Sequence, residues 1–367
     1  APMHWDPAFR LNDAHVLITL HGEREKVAER AAALQDRWSG ATPLRCLQVL
    51  QGQRLGRPPG EKEGHWVHFR YRDGLVDHCI DGVERSRRSP GRPGAAEPVP
   101  HAAGEFLLGR PNDDDFNPFA LEKAPARMRA LFHDSSFGVL RPMEQHAHRF
   151  EAAVRTWQRQ ARGALGQAID PDWIRAKLCG RWPAGQLVAP GQLQRPSGAL
   201  QASDLRPDFR ADAEGTGCPM FSHVRRMNAR GHAGAKQRSR TLLRRGMPYG
   251  TANWDGIDDG GERGLLGLFF CASLEHQFEQ FLGQWGIGSP PGGQDGNIAS
   301  DPFAGHTGDR AAVAVVPLPG SVPPLRLSGF EAWTRTRGTV YTWYPDRDAV
   351  ERILAEDYLP KDEGPWL

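Results

Sequence analysis

The sequence predicts an α+β protein made of two sheet-and-helix halves. Apolar runs of strand length alternate with longer amphipathic stretches, and segments rich in Pro and Gly separate them. The length of 367 residues suits two domains of ordinary size. With 39% hydrophobic and 25% charged residues, the chain belongs with globular rather than disordered proteins.

Taken in order, the run AHVLITLH (Ala14 to His21), closed by Gly22, reads as a buried strand. From Glu23 to Trp38, residues Val27, Ala31, Leu34 and Trp38 recur at helical spacing, and a second strand follows over Leu44 to Gln51. This β-α-β unit is of the kind found in ferredoxin-like folds. Arg54 to Glu63 and Ser86 to Ala103 read as loops of Pro, Gly and charge. A second strand-helix unit begins near Phe137 with FGVLRP and a helix through about Gly163, so the boundary between halves is placed in Phe116 to Ser136. The division is residues 1–135 and 136–367. After a loop from Gly185 to Gly217 come a strand at Gly264 to Ala272, a helix from Leu274 to Trp285, and a strand at Gly338 to Tyr344. Together they suggest α+β architecture, two sheet-and-helix halves against each other.

Composition also excludes partners. A net charge of +2 is weak electrostatics for nucleic acid, and only six of the 46 basic residues are Lys. The longest nearly apolar run, Gly264 to Leu274, is about half a membrane span. Five cysteines with no CxxC pair argue against a structural zinc site or a disulfide framework. With no secretory signal in this chain, the expected location is cytoplasmic.

Four segments carry candidate chemistry: HFRYRDGLVDHCIDG (68–82), GTGCPMFSHVRRMNARG (215–231), LLRRGMPYG (242–250) and GLLGLFFCASLEHQFEQF (264–281). Read alone, Asp73 is a turn residue before Gly74, His223 a core histidine, Arg244 a surface cation and Glu275 a solvent-facing helix residue. In this order the segments resemble the dye-decolourising peroxidase family, haem proteins of two ferredoxin-like halves. RYRDG resembles the family's GxxDG, and CPMFSHVRRMNAR resembles its CPxxxHxRxxNPR. GEFLLGRPND, KLCGRWPAG, RRGMPYG and TRGTVYTWYP extend the match over almost the whole chain.

The resemblance implies haem b in the C-terminal half, with His223 as its proximal ligand and Glu275 as the acceptor for the other imidazole nitrogen. It implies Asp73 as the distal acid-base group and Arg244 as the cation facing charge on the departing oxygen. Leu268, Phe270 and Phe278 are expected to line the macrocycle, with Leu75 and Val76 roofing its distal side. The implied activity is reduction of hydrogen peroxide through a ferryl intermediate, with oxidation of a small aromatic, phenolic or dye-like reductant and a preference for mildly acidic pH. Tyr249, Trp333, Tyr341, Trp343 and Tyr344 are candidate relays to the surface, or packing. The alternatives are a haem carrier or sensor, indifferent to Asp73 and Arg244, and a biosynthetic haem oxidase on the same scaffold.

Two departures stand out. Arg70 replaces the first Gly of the distal motif. Turned inward it would lower the Asp73 pKa or narrow the peroxide channel; turned outward, the reading taken, it is a surface change. Members of this branch also carry a further stretch ahead of a segment like HWDPAFRLNDAHVLITLHG. The expectation is that a separate polypeptide or partner subunit supplies it or that it was removed, the alternative being a shortened chain that dimerises across the bare surface.

Overall fold

Strand β3 (Ser136–Gln145) and strand β6 (Gly264–Cys271) form the centre of the main sheet, running antiparallel from Phe137 opposite Cys271 to Glu144 opposite Gly264. The computed structural model describes residues 3–10, 14–39, 44–75, 78–83, 100–117, 125–205, 207–227, 240–287, 300–304, 313–320 and 322–355. The outer edge of β3 takes β10 (Val340–Tyr344) and β9 (Thr334–Thr336). The outer edge of β6 takes β4 (Leu243–Arg244) and β5 (Met247–Tyr249). With helix α3 (Ala147–Leu165) after β3 and helix α7 (Leu274–Ile287, of the wide π type) after β6, the order is β-α-β-β-α-β. The sheet order β10-β3-β6-β4, antiparallel at every pairing, is that of a ferredoxin-like unit.

The core lies beneath α3. Phe150, Val154, Trp157 and Ala161 make one buried stripe at helical spacing, and Gly166 ends the helix in the left-handed region at φ 61°. Against it packs α4 (Trp173–Cys179), all of whose residues are buried, with Trp182, Phe330 and Trp333. The Trp157 ring sits 4.8 Å from Phe330 and 5.7 Å from Trp333. Smaller elements complete the frame: a hairpin of β1 (His65–Trp66) and β2 (Arg72–Asp73), a second of β7 (Ala314–Val316) and β8 (Leu325–Leu327), and helices α2 (Ala126–Phe132), α5 (Ala202–Leu205), α6 (His223–Met227) and α8 (Arg347–Leu354).

The first half departs from expectation. Helix α1 (Arg24–Ser39) forms where the periodicity put it, yet it buries no residue. The two flanking strands do not form: residues 14–21 and 44–51 run irregularly, outside any ladder. Val16, Ile18, Leu44 and Val49 stand 48–70% exposed as a result. An apolar run becomes a strand only where another strand offers its backbone groups. The described chain lays none beside these two, and rejoins the sheet at Gln53, whose N–H donates to Pro248 O at 2.7 Å. Most of the predicted loop at 86–103 lies outside the described residues, and the segment 116–136 contains α2. Among the described residues no helix is long and apolar enough to cross a membrane.

Candidate active site

Helix α6 opens with His223 and is clamped from three sides. Ser222 Oγ donates to Lys177 O, Arg226 Nε to Trp285 O at 2.7 Å, and Arg225 to Cys218 O at 2.8 Å. Lys177 on α4 donates to the carbonyls of Thr216 and Gly217, fixing the loop that leads into Cys218-Pro219. Gly180 sits at φ 86° with Cys218 Sγ 2.6 Å from where a Cβ would stand, so no larger residue fits. The KLCG segment is therefore a cradle for the CPMFSH segment.

His223 Nδ1 lies 2.8 Å from Oδ2 of Asp301, whose side chain is fully buried, while the histidine side chain remains 31% exposed. Asp301 Oδ1 accepts the N–H groups of Phe303 and Ala304, and its own N–H donates to Gly286 O at the end of α7. Burial alone would raise the Asp301 pKa; the His223 charge and hydrogen bonds outweigh it and hold the pKa below the ordinary value. Asp301 is thus an ionised acceptor facing Nδ1, which leaves Nε2 as the ring nitrogen turned away from the carboxylate. The edge of Phe303 closes one side of the ring at 5.7 Å.

This corrects the assignment of Glu275. That residue is exposed in the first turn of α7, and the carboxylate at His223 is Asp301, 78 positions further along the chain. Nothing in the local sequence around His223 announced it. The signal available was a lone acid between Ser300 and Pro302, seated by a loop rather than by a periodic element.

Arg244 on β4 stands opposite Phe269, and residues opposed across an antiparallel pair project from the same face. Phe269 lies over Gly267, where a Cβ would come within 2.7 Å of its ring, and its centroid is 5.4 Å from Phe278 of α7. Arg244, Phe269 and Phe278 therefore belong to the α7 side of the sheet. Leu268 and Phe270 project from the other face, where Phe270 packs 4.9 Å from Tyr344. Leu268 and Phe270, expected to line the macrocycle with Phe278, thus face away from Arg244 and Phe278, and period-2 alternation puts Leu265, Gly267 and Phe269 on the Arg244 face.

Asp73 is exposed on β2, opposite His65. Its hairpin rests on the turn after α4: Arg72 N–H donates to Pro183 O at 2.8 Å, and the half-buried Leu75 places a methyl 2.5 Å from where a Cβ on Gly185 would stand. Arg181 braces that turn through Gly185 O and Asp204 O. Burial lowers the Arg181 pKa, and the positive charge of Arg244 adds to the effect, which places the two guanidinium groups in each other's field. His68 ties the same hairpin to β5 by donating Nε2–H to Tyr249 O at 2.8 Å; its burial pushes its pKa down to about 4, so the ring is neutral. Val76 and residues 228–230 of the NAR triplet lie outside the described residues.

Of the aromatic relay candidates, Trp333 is buried core, and Tyr341 is 48% exposed with its hydroxyl donating to Glu279 at 2.8 Å.

The donor set suits haem. Among the described residues no group of three His, Cys, Asp or Glu could hold a bare metal ion, whereas one imidazole polarised by a buried carboxylate suits an iron whose remaining ligands come from a porphyrin.

No family model matches the chain. A dye-decolorizing peroxidase of Mycetinis scorodonius is 25% identical over 373 residues, covering 96% of this chain and 68% of that protein. A multifunctional dye peroxidase of an Amycolatopsis species is 30% identical over 208 residues, covering 53% of this chain and 43% of that protein. The chain is thus similar to dye-decolourising peroxidases along almost its whole length. Solved structures of the family share its fold. An ancestral D-type dye decolorizing peroxidase superposes with a TM-score of 0.69 at 22% identity, over 95% of this chain and 75% of that one. A fungal DyP-type peroxidase from Auricularia auricula-judae gives 0.61 at 19%, over 88% and 70%.

Proposed function

We propose that the chain is a haem b peroxidase that reduces hydrogen peroxide and oxidises small aromatic, phenolic or dye-like reductants. The observation that carries this reading is the His223–Asp301 pair, a histidine whose Nδ1 is held by a fully buried carboxylate. Names of family members support the reaction class.

Bound through His223 Nε2, haem would supply the electrons that cleave the O–O bond and then recover them from the reductant. Overall, one peroxide and two reductant molecules give two waters and two one-electron-oxidised products. Asp301 keeps the imidazole oriented and electron-rich. Asp73 takes the proton from one peroxide oxygen and delivers it to the other, which departs as water. Arg244 opposes the negative charge that develops on the departing oxygen. Phe269 and Phe278 offer an apolar wall on the Arg244 side of the sheet.

The test is an absorption spectrum of the full chain with added haemin, with and without one equivalent of peroxide. A Soret band that is absent in His223→Ala and changes with peroxide in the parent is expected. Asp73→Asn should keep the band and lose roughly 100-fold or more in turnover. A band that ignores peroxide, with turnover indifferent to Asp73, would overturn the peroxidase reading in favour of a haem carrier.

A further inference from the structure

Glu105 lies in a short 3-10 turn (Ala103–Glu105), and the residue is only 1% exposed. Its two carboxyl oxygens go to different segments. Oε1 accepts Asp113 N–H at 3.1 Å, and Oε2 accepts Thr241 N–H at 3.0 Å. Gln277 of α7 completes the grip: its Nε2 donates to Thr241 O at 2.6 Å and to Glu105 O at 2.8 Å. Both backbone groups of Thr241 are thus held, three residues ahead of Arg244, just after Arg240 turns the chain at φ 77°.

We propose that Glu105 is the positioning residue of the Arg244 arm: its buried carboxyl group fastens Thr241 to the Asp113 turn. Burial, as the largest effect, pushes the Glu105 carboxyl up to about 7, against the hydrogen bonds from Asp113, Thr241 and Arg240 that favour its ionised form; the Asp113 charge pushes it further up. Once the arm opens and water reaches Glu105, that pKa falls toward its ordinary value. The closed arm therefore binds the proton more tightly, is favoured at acidic pH, and loosens as pH rises through about 7. The groups facing Glu105 are Asp113, with His101 bound to it through Nδ1, on one side, Arg240 and Thr241 on the second, and the neutral Gln277 on the third. The part played by Arg244 rests on the peroxidase reading; the hold on residues 241–244 does not.

Hydrogen exchange of the 240–246 peptide in the full chain, corrected for intrinsic rates, tests this with or without haem. Wild-type protection should fall at least about tenfold between pH 5.5 and 8.5, and in Glu105→Gln it should be flat over that range. In the haem-loaded protein the same substitution should extend turnover to higher pH. Equal wild-type protection at both pH values would overturn the proposal, even were Glu105→Gln not to fold. So would a Glu105→Gln variant that keeps the pH dependence, because the titrating group would then be another one.

Discussion

Arg70 sits at φ 64°, in the left-handed region, at the position where related distal motifs carry glycine. There its Cβ crowds the following carbonyl, at a cost on the order of 1 kcal/mol that glycine does not incur. Arg70→Gly should therefore raise stability by about 1 kcal/mol in denaturant titration, whereas Arg70→Ala, which keeps the Cβ, should not. The substitution reads as a backbone matter before it reads as an electrostatic one. Beside His223, Asp301→Asn keeps a hydrogen-bond acceptor for the ring but removes the charge. Haemin titration should show an affinity lower by about 10- to 100-fold, the usual effect of losing such a partner.

Elements of the second half were legible because each carried its own pattern: FGVLRP for β3, GLLGLFFC for β6, VYTWY for β10, and a 3.6-period stripe for α3. The pattern around residues 14–21 was as apolar, but a strand is a property of a pair, and its partner could not be read from its own residues. The site was half legible for the same reason. His223 and the motifs that cradle it sit in continuous segments, whereas Asp301 arrives through a tertiary loop and the face of β6 turned to Arg244 depends on register. The uncovered apolar residues give an element-scale prediction. Val16→Ser with Ile18→Ser should change stability by less than about 0.5 kcal/mol, since little area is buried there, and should lower binding of a hydrophobic dye. A large loss of stability would show that these residues are packed in solution. Within β6, Gly264 admits no side chain: a Cβ would stand 2.0 Å from Met143 O, and Gly264→Ala should weaken the central pairing by roughly 1–3 kcal/mol.

On the scale of the molecule, two buried groups pull stability in opposite directions with pH. Glu105, raised to about 7, contributes stability below pH 4.5 that is lost as pH rises to about 7. His68, depressed to about 4, contributes stability above pH 6.5 that is lost as pH falls to about 4. Each slope is at most about 1.4 kcal/mol per pH unit, so between about pH 4.5 and 6.5 they cancel. Denaturant midpoints should expose this: Glu105→Gln should leave stability rising with pH in that window, and His68→Gln should leave it falling. The central strand pair has a consequence of another kind. Phe137 meets Cys271, and every residue between them, His223 included, must leave the ribosome before β3 gains its neighbour. Asp301 emerges later still, after the whole of α7. During synthesis the histidine is exposed well before its carboxylate exists, so the growing chain holds an unpolarised imidazole on an unfinished sheet. Such long-range closure is slow to fold, and the His223–Asp301 pair forms only after α7 has been made.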